Sequence, residues 1–448
     1  MKKKLILLAP IYLLLIGISH NFCQSVDKTK KNDSLIIVKS DKEDKALTIQ
    51  EKINEVSEIL DDYYAIEHLT KKNNKEISSL KSKKIKLEKE IQSRKSIIEK
   101  SLKSSNSFQD SIKLNEKKIE TLIKKSKKKD TLKLAKDTIL LDSINNNLKD
   151  NLAKEKRRIE ITNQNIKSKE KSISVIEAKL KLLNKKNESV DAKSITNSYK
   201  KYKSNTEPFF KDSLGEIKFS YKKQGYLGFV ADFERNKIQF HLNYRNVKDP
   251  KAIKYIQLGK VKSVLEKNGK EVLMLTNGGM YTPRNNPEGL LIADSVEIEA
   301  IDLEKPSGFL NFYMMPNGVF YINDNKGYIE ESSAFNEKYK SKKINPSNAT
   351  QSGPMLVINN KHHPAFNHGS SSRKLRSGVG IMPNGKLVFL ISNRSITNFH
   401  DFATIFKDIF GCENALFLDG VISKMYLKNN NPKTIGGNFG PIISVIKK

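Results

Sequence analysis

The sequence predicts an α/β (α+β) protein in which a long α-helical coiled-coil segment precedes a sheet-rich C-terminal domain. Three observations support this fold class. The chain has 448 residues, more than one ordinary domain needs. No proline occurs between residues 28 and 206, and short apolar runs bounded by turn residues are concentrated beyond that segment. The expected divisions are a signal peptide 1–25, a polar linker 26–46, a helical stalk 47–195, a linker 196–212 and a domain 213–448.

The first 25 residues predict an export signal. Three lysines at positions 2–4 precede an apolar run at 5–18, which is short for a membrane span. Small residues favour cleavage after Ser19, whereas cleavage after Cys23 or lipidation of Cys23 is an alternative. We therefore expect an exported protein that is periplasmic, on the cell surface or secreted. Membrane attachment is expected only where the signal is retained.

Charge and cysteine content narrow the function classes. The formal net charge is +31, but the lysines are spread widely and no nucleic-acid-binding signature is present. The charge therefore indicates a solvated stalk, and no nucleic-acid partner is expected. The second cysteine, Cys412, lies between a predicted helix end and an apolar run, which is typical of a small buried side chain. An internal disulfide is not expected once the signal is removed.

Heptad spacing predicts the helical stalk. Apolar residues occupy a and d positions in its first half, namely Ile77, Leu80, Leu87, Ile91 and Ile98. In its second half one apolar position recurs every seven residues, as Leu152, Ile159, Ile166, Ile173 and Leu180. The pattern weakens at 104–110 and around 127–138. A hairpin folding back on itself and a parallel homo-oligomer held by the coiled coil therefore both remain open, and spacing or oligomerisation is the expected role.

The composition changes at Pro208, after which glycine, proline, aromatic and β-branched residues become frequent. Apolar runs such as "GYLGFVADF", "EVLMLTNGGMY", "KLVFLIS" and "ALFLDG" predict strands bounded by turns. Between two of them, "NFHDFATIFKDIFG" has apolar residues at helical spacing, with Asn398 as N-cap and Gly411 as a C-terminal stop. The sequence therefore predicts one α/β unit with a sheet-rich core.

Four polar clusters lie at the edges or ends of predicted strands: "TNGGMYTP" at 276–283, "QSGPMLV" at 351–357, "GSSSRKLRSGVG" at 369–380 and "LFLDGVISKMY" at 416–426. Small residues at these points allow a ligand to approach the backbone. Each cluster alone is typical of a turn, but the four together predict one site. Arg373 and Arg376 suit bidentate phosphate contacts, and the preceding Gly-Ser-Ser-Ser turn can add N–H groups and hydroxyls.

The order of these motifs, over roughly residues 226–445, resembles the phosphodiester glycosidase domain family. The resemblance implies hydrolysis of the bond between a sugar's anomeric carbon and a phosphodiester oxygen. We expect neither a cofactor nor a metal. Val421 stands where the family often has a second glycine, which implies a different approach of the substrate. The expected partner is a sugar phosphodiester or an anionic glycan. The alternative function is a non-catalytic envelope protein that binds anionic glycans through the same residues.

Asp419 is the predicted sugar-side carboxylate, because it ends an apolar strand where burial can tune its pKa. Glu288 is the second candidate. A phosphate is a good leaving group, so little general-acid help is expected. The predicted substrate-binding residues are Asn277, Gly278, Gln351, Ser352, Ser372, Arg373, Arg376, Gly420 and Ser423. Neighbouring His362 and His363 are expected to face opposite sides of an extended segment, which disfavours a shared metal ion.

Overall fold

The computed structural model describes residues 48–125, 131–249, 251–304, 311–393, 396–420, 422–430 and 435–448. The predicted signal peptide and the linker at 26–46 lie outside these ranges, as does Val421. No helix within the described ranges is both long and apolar enough to span a membrane.

The N-terminal half of the described chain is a helical hairpin. Its helices are α1 (Ile49–Lys125), α2 (Thr131–Asn187) and the shorter α3 (Val190–Asn205). The amide of Asn73 donates to Asn187 at 2.8 Å and the amide of Asn115 donates to Asn145 at 3.1 Å, so α1 and α2 run antiparallel. The hairpin alternative is therefore the observed one within the chain, while supercoiling and oligomerisation stay predictions.

Apolar residues at the predicted spacing form the seam between α1 and α2. Ile77, Ile91, Ile166, Ile176 and Leu183 are all at most 8% exposed. The segment 196–212 was predicted as a linker, but α3 continues to Asn205. The helix forms there because Ser189 caps its first turn by accepting a hydrogen bond from the N–H of Ala192.

The C-terminal half is built from short strands. They are β1 (Gly215–Tyr221), β2 (Gln224–Ala231), β3 (Asn236–His241), β4 (Val272–Asn277), β5 (Leu291–Ala293), β6 (Val296–Glu299), β7 (Gly318–Asn323), β8 (Lys326–Glu331), β9 (Asn348–Ser352), β10 (Met355–Ile358), β11 (Lys361–His362), β12 (Ser377–Ile381), β13 (Leu387–Ser392), β14 (Ala415–Asp419), β15 (Met425–Leu427) and β16 (Ile442–Lys447). The accompanying helices are α4 (Leu258–Lys267), α5 (Ser332–Lys340) and α6 (Phe399–Thr404), the last continuing as a π-turn at Ile405–Ile409.

The described strands form three antiparallel sheets. Their strand orders are β1-β2-β13-β12-β14-β10-β11, β15-β4-β16-β3 and β6-β5-β9-β7-β8. One apolar core joins them, because Phe389 of the first sheet, Phe240 and Met274 of the second and Phe320 of the third belong to the same buried cluster. The predicted sheet-rich domain after a long helical segment is therefore confirmed, and its antiparallel pairing makes it an α+β arrangement.

The base of the hairpin shares a core with the domain. Leu60 and Tyr64 of α1 and Tyr199 of α3 pack in one cluster with Phe402 and other apolar residues of the domain. Burial of the apolar side chains of Leu60 and Phe402 contributes about 1.5–3 kcal/mol each to folding.

A buried polar cluster also joins the two halves. The Tyr64 hydroxyl donates to the Asp408 carboxylate at 2.5 Å and the Tyr199 hydroxyl donates to it at 3.1 Å. Burial alone would raise the pKa of Asp408, but Lys407 and Lys203 hold that pKa below its usual value. The Asp408 carboxylate is therefore charged, and side chains from both α1 and α3 stabilise it.

Candidate functional site

The ends of three strands meet at one buried hydroxyl, that of Ser377. Asn277 ends β4, Ser377 begins β12 and Asp419 ends β14, and Ser377 pairs directly with Asp419 between adjacent strands. The Asn277 amide donates to Ser377 Oγ at 2.8 Å, and the Asp419 N–H donates to the same oxygen at 3.2 Å. Ser423 Oγ donates to it at 3.0 Å. The structure thus brings together three of the residues predicted from the sequence.

Ser377 itself was missed by sequence reasoning. It lies directly after Arg376 in the quoted "SSSRKLRSG" motif, but nothing in the sequence distinguished it from the three serines before it. The antiparallel register of β12 against β14 places it beside Asp419. At 1% exposure its hydroxyl contacts protein groups and connects the three strand ends.

The turn after β14 folds back onto this hydroxyl. The Ser423 N–H donates to the Gly420 carbonyl at 2.9 Å, and the Lys424 N–H donates to Asn277 Oδ1 at 3.3 Å. Asn277 is fully buried, and both polar atoms of its side chain have protein partners: the nitrogen donates to Ser377 and the oxygen accepts from Lys424. These contacts fix the path of the chain after Asp419. Asn277 and Ser423 therefore shape the site, and a direct substrate contact by either stays a prediction.

Asp419 is the electrostatically unusual carboxyl of this group. Burial raises its pKa from 3.8 to about 6, against the opposing effect of a 2.6 Å hydrogen bond from the Gly420 N–H. None of the described cations contributes to that pKa. The side chain is therefore a carboxylic acid below about pH 6 and an uncompensated carboxylate above it. This is the property that a strand-end aspartate was predicted to have.

Tyr281, quoted within the "TNGGMYTP" motif without being assigned a role, is within range of the charge of Asp419. Burial and the charge of Asp419 raise its pKa, and its hydroxyl donates to the Asn438 carbonyl at 2.5 Å. A Cβ at Gly440 would stand 2.5 Å from Tyr281 Cβ, so only glycine fits against the ring. Tyr281 is thus held in place by the segment at Asn438 and Gly440.

Gly278 and Ser352 were predicted to bind substrate, but the structure shows them in packing contacts. The Gly278 N–H donates to the Pro441 carbonyl at 2.7 Å, and a Cβ there would stand 2.8 Å from Pro441 Cβ. The Ser352 hydroxyl is fully buried and donates to the Leu418 carbonyl at 2.8 Å. Both residues therefore position β4 and β14, because their polar groups already have protein partners.

Gln351 needs the same correction. Its carbonyl oxygen accepts hydrogen bonds from the N–H groups of Leu290 and Asp302, at 3.1 and 2.9 Å. Its amide group donates to the Asp302 carbonyl at 2.6 Å and to Ser332 Oγ at 3.0 Å. With 1% exposure and four hydrogen bonds to three residues, this side chain anchors the segment around Leu290 and Asp302 and is not placed to hold a sugar hydroxyl.

Glu288, the second predicted carboxylate, lies in a different acidic environment. It lines a shallow depression with Glu299, Asp302 and Glu304. Burial and the charge of Asp302 raise its pKa. The charge that acts on Glu288 is that of Asp302, whereas Asp419 is perturbed by burial, so the two candidate carboxylates lie in different surroundings and a joint catalytic role stays a prediction.

Arg376 is buried, contrary to the expectation of two equivalent phosphate-binding arginines. Its Nε donates to the Thr397 carbonyl at 2.9 Å and its Nη2 donates to the Ser372 carbonyl at 3.1 Å. The guanidinium carbon lies 3.5 Å from the ring centre of Phe399 and 5.6 Å from that of Phe417. Burial lowers the pKa of Arg376 to about 10. The guanidinium therefore donates to two backbone oxygens and holds the loop at residues 369–373 from its buried side.

Arg373 and Ser372 are exposed, as the phosphate-binding prediction requires. Gly369 opens the loop with φ +71°, a conformation that favours glycine. The Asn398 amide donates to the Ser370 carbonyl at 3.2 Å, and the Arg373 N–H donates to the Ser371 carbonyl at 2.8 Å. The loop is thus ordered by protein contacts and presents Arg373 to solvent.

The described residues contain no group of three or more His, Cys, Asp or Glu side chains arranged to hold a metal ion. The His362 ring packs against His400 and Tyr64, whereas the His363 ring packs against Phe366. The two neighbouring imidazoles contact different surroundings, as expected for an extended segment.

Residues 270–445 match the family described as phosphodiester glycosidase, a shorter stretch than the predicted 226–445. The uncharacterized protein YigE of Escherichia coli is 39% identical over 178 residues, covering 40% of this chain and 67% of that protein. The catalytic domain of zebrafish N-acetylglucosamine-1-phosphodiester alpha-N-acetylglucosaminidase, auto-inhibited by its pro-peptide, is 12% identical with a TM-score of 0.33, over 53% of this chain and 82% of that one. A hypothetical protein from Synechocystis is 13% identical with a TM-score of 0.34, over 53% and 64% of the two chains. The extent and identity of the Escherichia coli match, together with the family match itself, show that this chain belongs to the phosphodiester glycosidase family.

Proposed function

We propose that the protein is an exported hydrolase that cleaves the bond between a sugar's anomeric carbon and a phosphodiester oxygen. Membership of the family supports the reaction class. The observation that carries the proposal is Asp419, a partly buried carboxyl with a pKa of about 6 at the meeting point of β4, β12 and β14. A carboxylate held in this way is suited to stabilise positive charge on a sugar ring.

The proposed reaction breaks the bond between the anomeric carbon and the phosphodiester oxygen, and the electron pair leaves with a phosphate monoester. A water molecule adds to the anomeric carbon and loses a proton, which gives the free sugar. Asp419, ionised above about pH 6, faces the oxocarbenium-like transition state. Arg373 at the exposed loop binds the phosphate, and no acid is required because phosphate leaves readily.

The exported location is supported by the sequence of the first 25 residues, with its basic start and short apolar run. The hairpin is not a spacer between the predicted export signal and the domain, because its first helix begins at the domain: the Gln50 side chain exchanges hydrogen bonds with the Ser220 backbone. That 77-residue helix, about 115 Å long at 1.5 Å per residue, extends from the domain, and the chain returns through α2 and α3.

The test is an assay of the full-length protein against a panel of sugar 1-phosphodiesters, with release of the free sugar as the measurement. Wild type should turn over at least one of them, and Asp419→Asn should lower kcat by about 100-fold or more while changing binding little. Asp249→Asn is the matched control, because Asp249 is exposed and caps a turn by accepting the N–H of Lys251. Binding of phosphodiesters without turnover by wild type would favour the glycan-binding alternative.

A further inference from the structure

Helix α1 directly contacts the loop at residues 368–373. The Asp61 carboxylate on α1 accepts a hydrogen bond from His368 Nε2 at 2.6 Å. His368 immediately precedes Gly369, so this contact holds the first residue of the loop that carries Arg373. We name residues 368–373 the cradle loop. Asp61 and His368 are 307 residues apart in the sequence, and the contact therefore exists only when the hairpin is docked.

A second set of bonds leads from the same carboxylate to the same loop. Asp61 also accepts a hydrogen bond from Lys222, which donates to Asp401 at 3.1 Å. Asp401 in turn accepts a bond of 2.9 Å from the amide of Asn398, and that amide also donates to the Ser370 carbonyl. Asp61 therefore reaches the cradle loop by two routes, one to His368 and one to Ser370.

The helix that carries Asp61 is fixed in place. Its neighbours Leu60 and Tyr64 are 0% and 3% exposed in the core shared with the domain. The hydrogen bond from His368 and the charge of Lys222 hold the pKa of Asp61 well below its usual value, so the carboxylate is ionised at neutral pH. The next residue, Asp62, is exposed and makes no described hydrogen bond to the domain.

The far end of the cradle loop is held separately, by the buried guanidinium of Arg376 on the Ser372 carbonyl. The loop is therefore restrained at both ends, at one by a residue of the hairpin and at the other by a residue of the domain. Arg373 follows Ser372 directly, so its position depends on both restraints.

We propose that the helical hairpin is a working part of the phosphate-binding site, in which Asp61 acts as a positioning residue that orders the cradle loop through His368. The order of the loop is a property of the free protein, whereas its consequence for phosphodiester binding rests on the proposed function. Without Asp61 the exposed Arg373 loses its fixed presentation.

The first experiment measures loop order without substrate. Amide hydrogen exchange of Ser370, Arg373 and Lys374, whose N–H groups donate to backbone oxygens, is compared in wild type, Asp61→Asn and Asp62→Asn. Losing a charge-assisted bond should speed exchange by about 10- to 100-fold in Asp61→Asn, whereas Asp62→Asn should match wild type. Equal exchange in all three proteins would overturn the proposal. His368→Ala repeats the test from the domain side, should Asp61→Asn lower the thermal midpoint.

The second experiment measures the consequence for the site. With a sugar 1-phosphodiester that wild type turns over, Asp61→Asn should raise KM about tenfold or more and leave kcat within about twofold, because the carboxylate does not touch the reacting atoms. Faster exchange with an unchanged KM would refute the link to substrate binding. Absence of turnover by wild type would instead refute the proposed function, and the exchange result would still decide the role of Asp61.

Discussion

Replacing Asp419 by asparagine should make the protein more stable at alkaline pH. The pKa of Asp419 is about 6 in the folded protein, against 3.8 in an unfolded chain. The folded state therefore binds this proton more tightly. The stabilisation is fully present below pH 3.8 and is lost as the pH rises through 6. At pH 8 the ionised side chain lowers the free energy of unfolding by at most about 3 kcal/mol, from about 1.4 kcal/mol per pKa unit.

Asparagine removes this penalty and retains the local bond, because its carbonyl oxygen can still accept from the Gly420 N–H. We expect Asp419→Asn to raise the free energy of unfolding by about 1–3 kcal/mol at pH 8 and by little at pH 4. Guanidinium unfolding of the full chain across this pH range measures the difference, with Asp249→Asn as the exposed control. A gain that is the same at pH 4 and pH 8 would refute the reasoning, since it would not come from ionisation. The same ionisation should make wild-type kcat/KM rise through about pH 6.

Two further predictions separate residues that bind from residues that position. Arg373→Ala should raise KM by about 10- to 100-fold with an unchanged thermal midpoint. Arg376→Lys should instead lower the free energy of unfolding by about 2 kcal/mol, because a lysine cannot donate to both carbonyls and also stack on Phe399. A stable Arg376→Lys with a raised KM would instead restore its predicted role in phosphate binding. Ser377→Ala should cost about 1–3 kcal/mol and reduce kcat, since Asn277 and Ser423 lose their shared partner. If Ser377→Ala changes neither the free energy of unfolding nor kcat, Ser377 has no role in organising the site.

Local patterns were sufficient for the elements and for part of the site. The proline-free heptads predicted the helices, and the strand-end position of Asp419 predicted a carboxyl with a tuned pKa. Apolar Ile53, Val56 and Leu60 recur at helical spacing, but the sequence does not say that they pack on the domain. Properties of single residues and local segments could therefore be predicted from the sequence, whereas their tertiary contacts could not.

The missed features all depend on tertiary pairing. Ser377 became important through the register of β12 against β14. The side-chain amide of Gln351 became unavailable because Leu290, Asp302 and Ser332, all distant in the sequence, bond to it. Arg376 was predicted to bind phosphate, but its guanidinium is buried, where it donates to two backbone carbonyls and packs against the aromatic rings of Phe399 and Phe417. No pattern in one sequence specifies such partners.

The hairpin and the domain are best regarded as one functional unit. If the helices were only a spacer, their base would need apolar packing and nothing more. Instead, tyrosines of α1 and α3 donate to the buried carboxylate of Asp408, and Asp61 holds the loop that presents Arg373. Removing the helices would expose the shared core and leave the Asp408 carboxylate with fewer hydrogen-bond donors. A fragment limited to the domain would therefore differ from the full chain in both stability and binding. The full chain is therefore the unit in which this site should be measured.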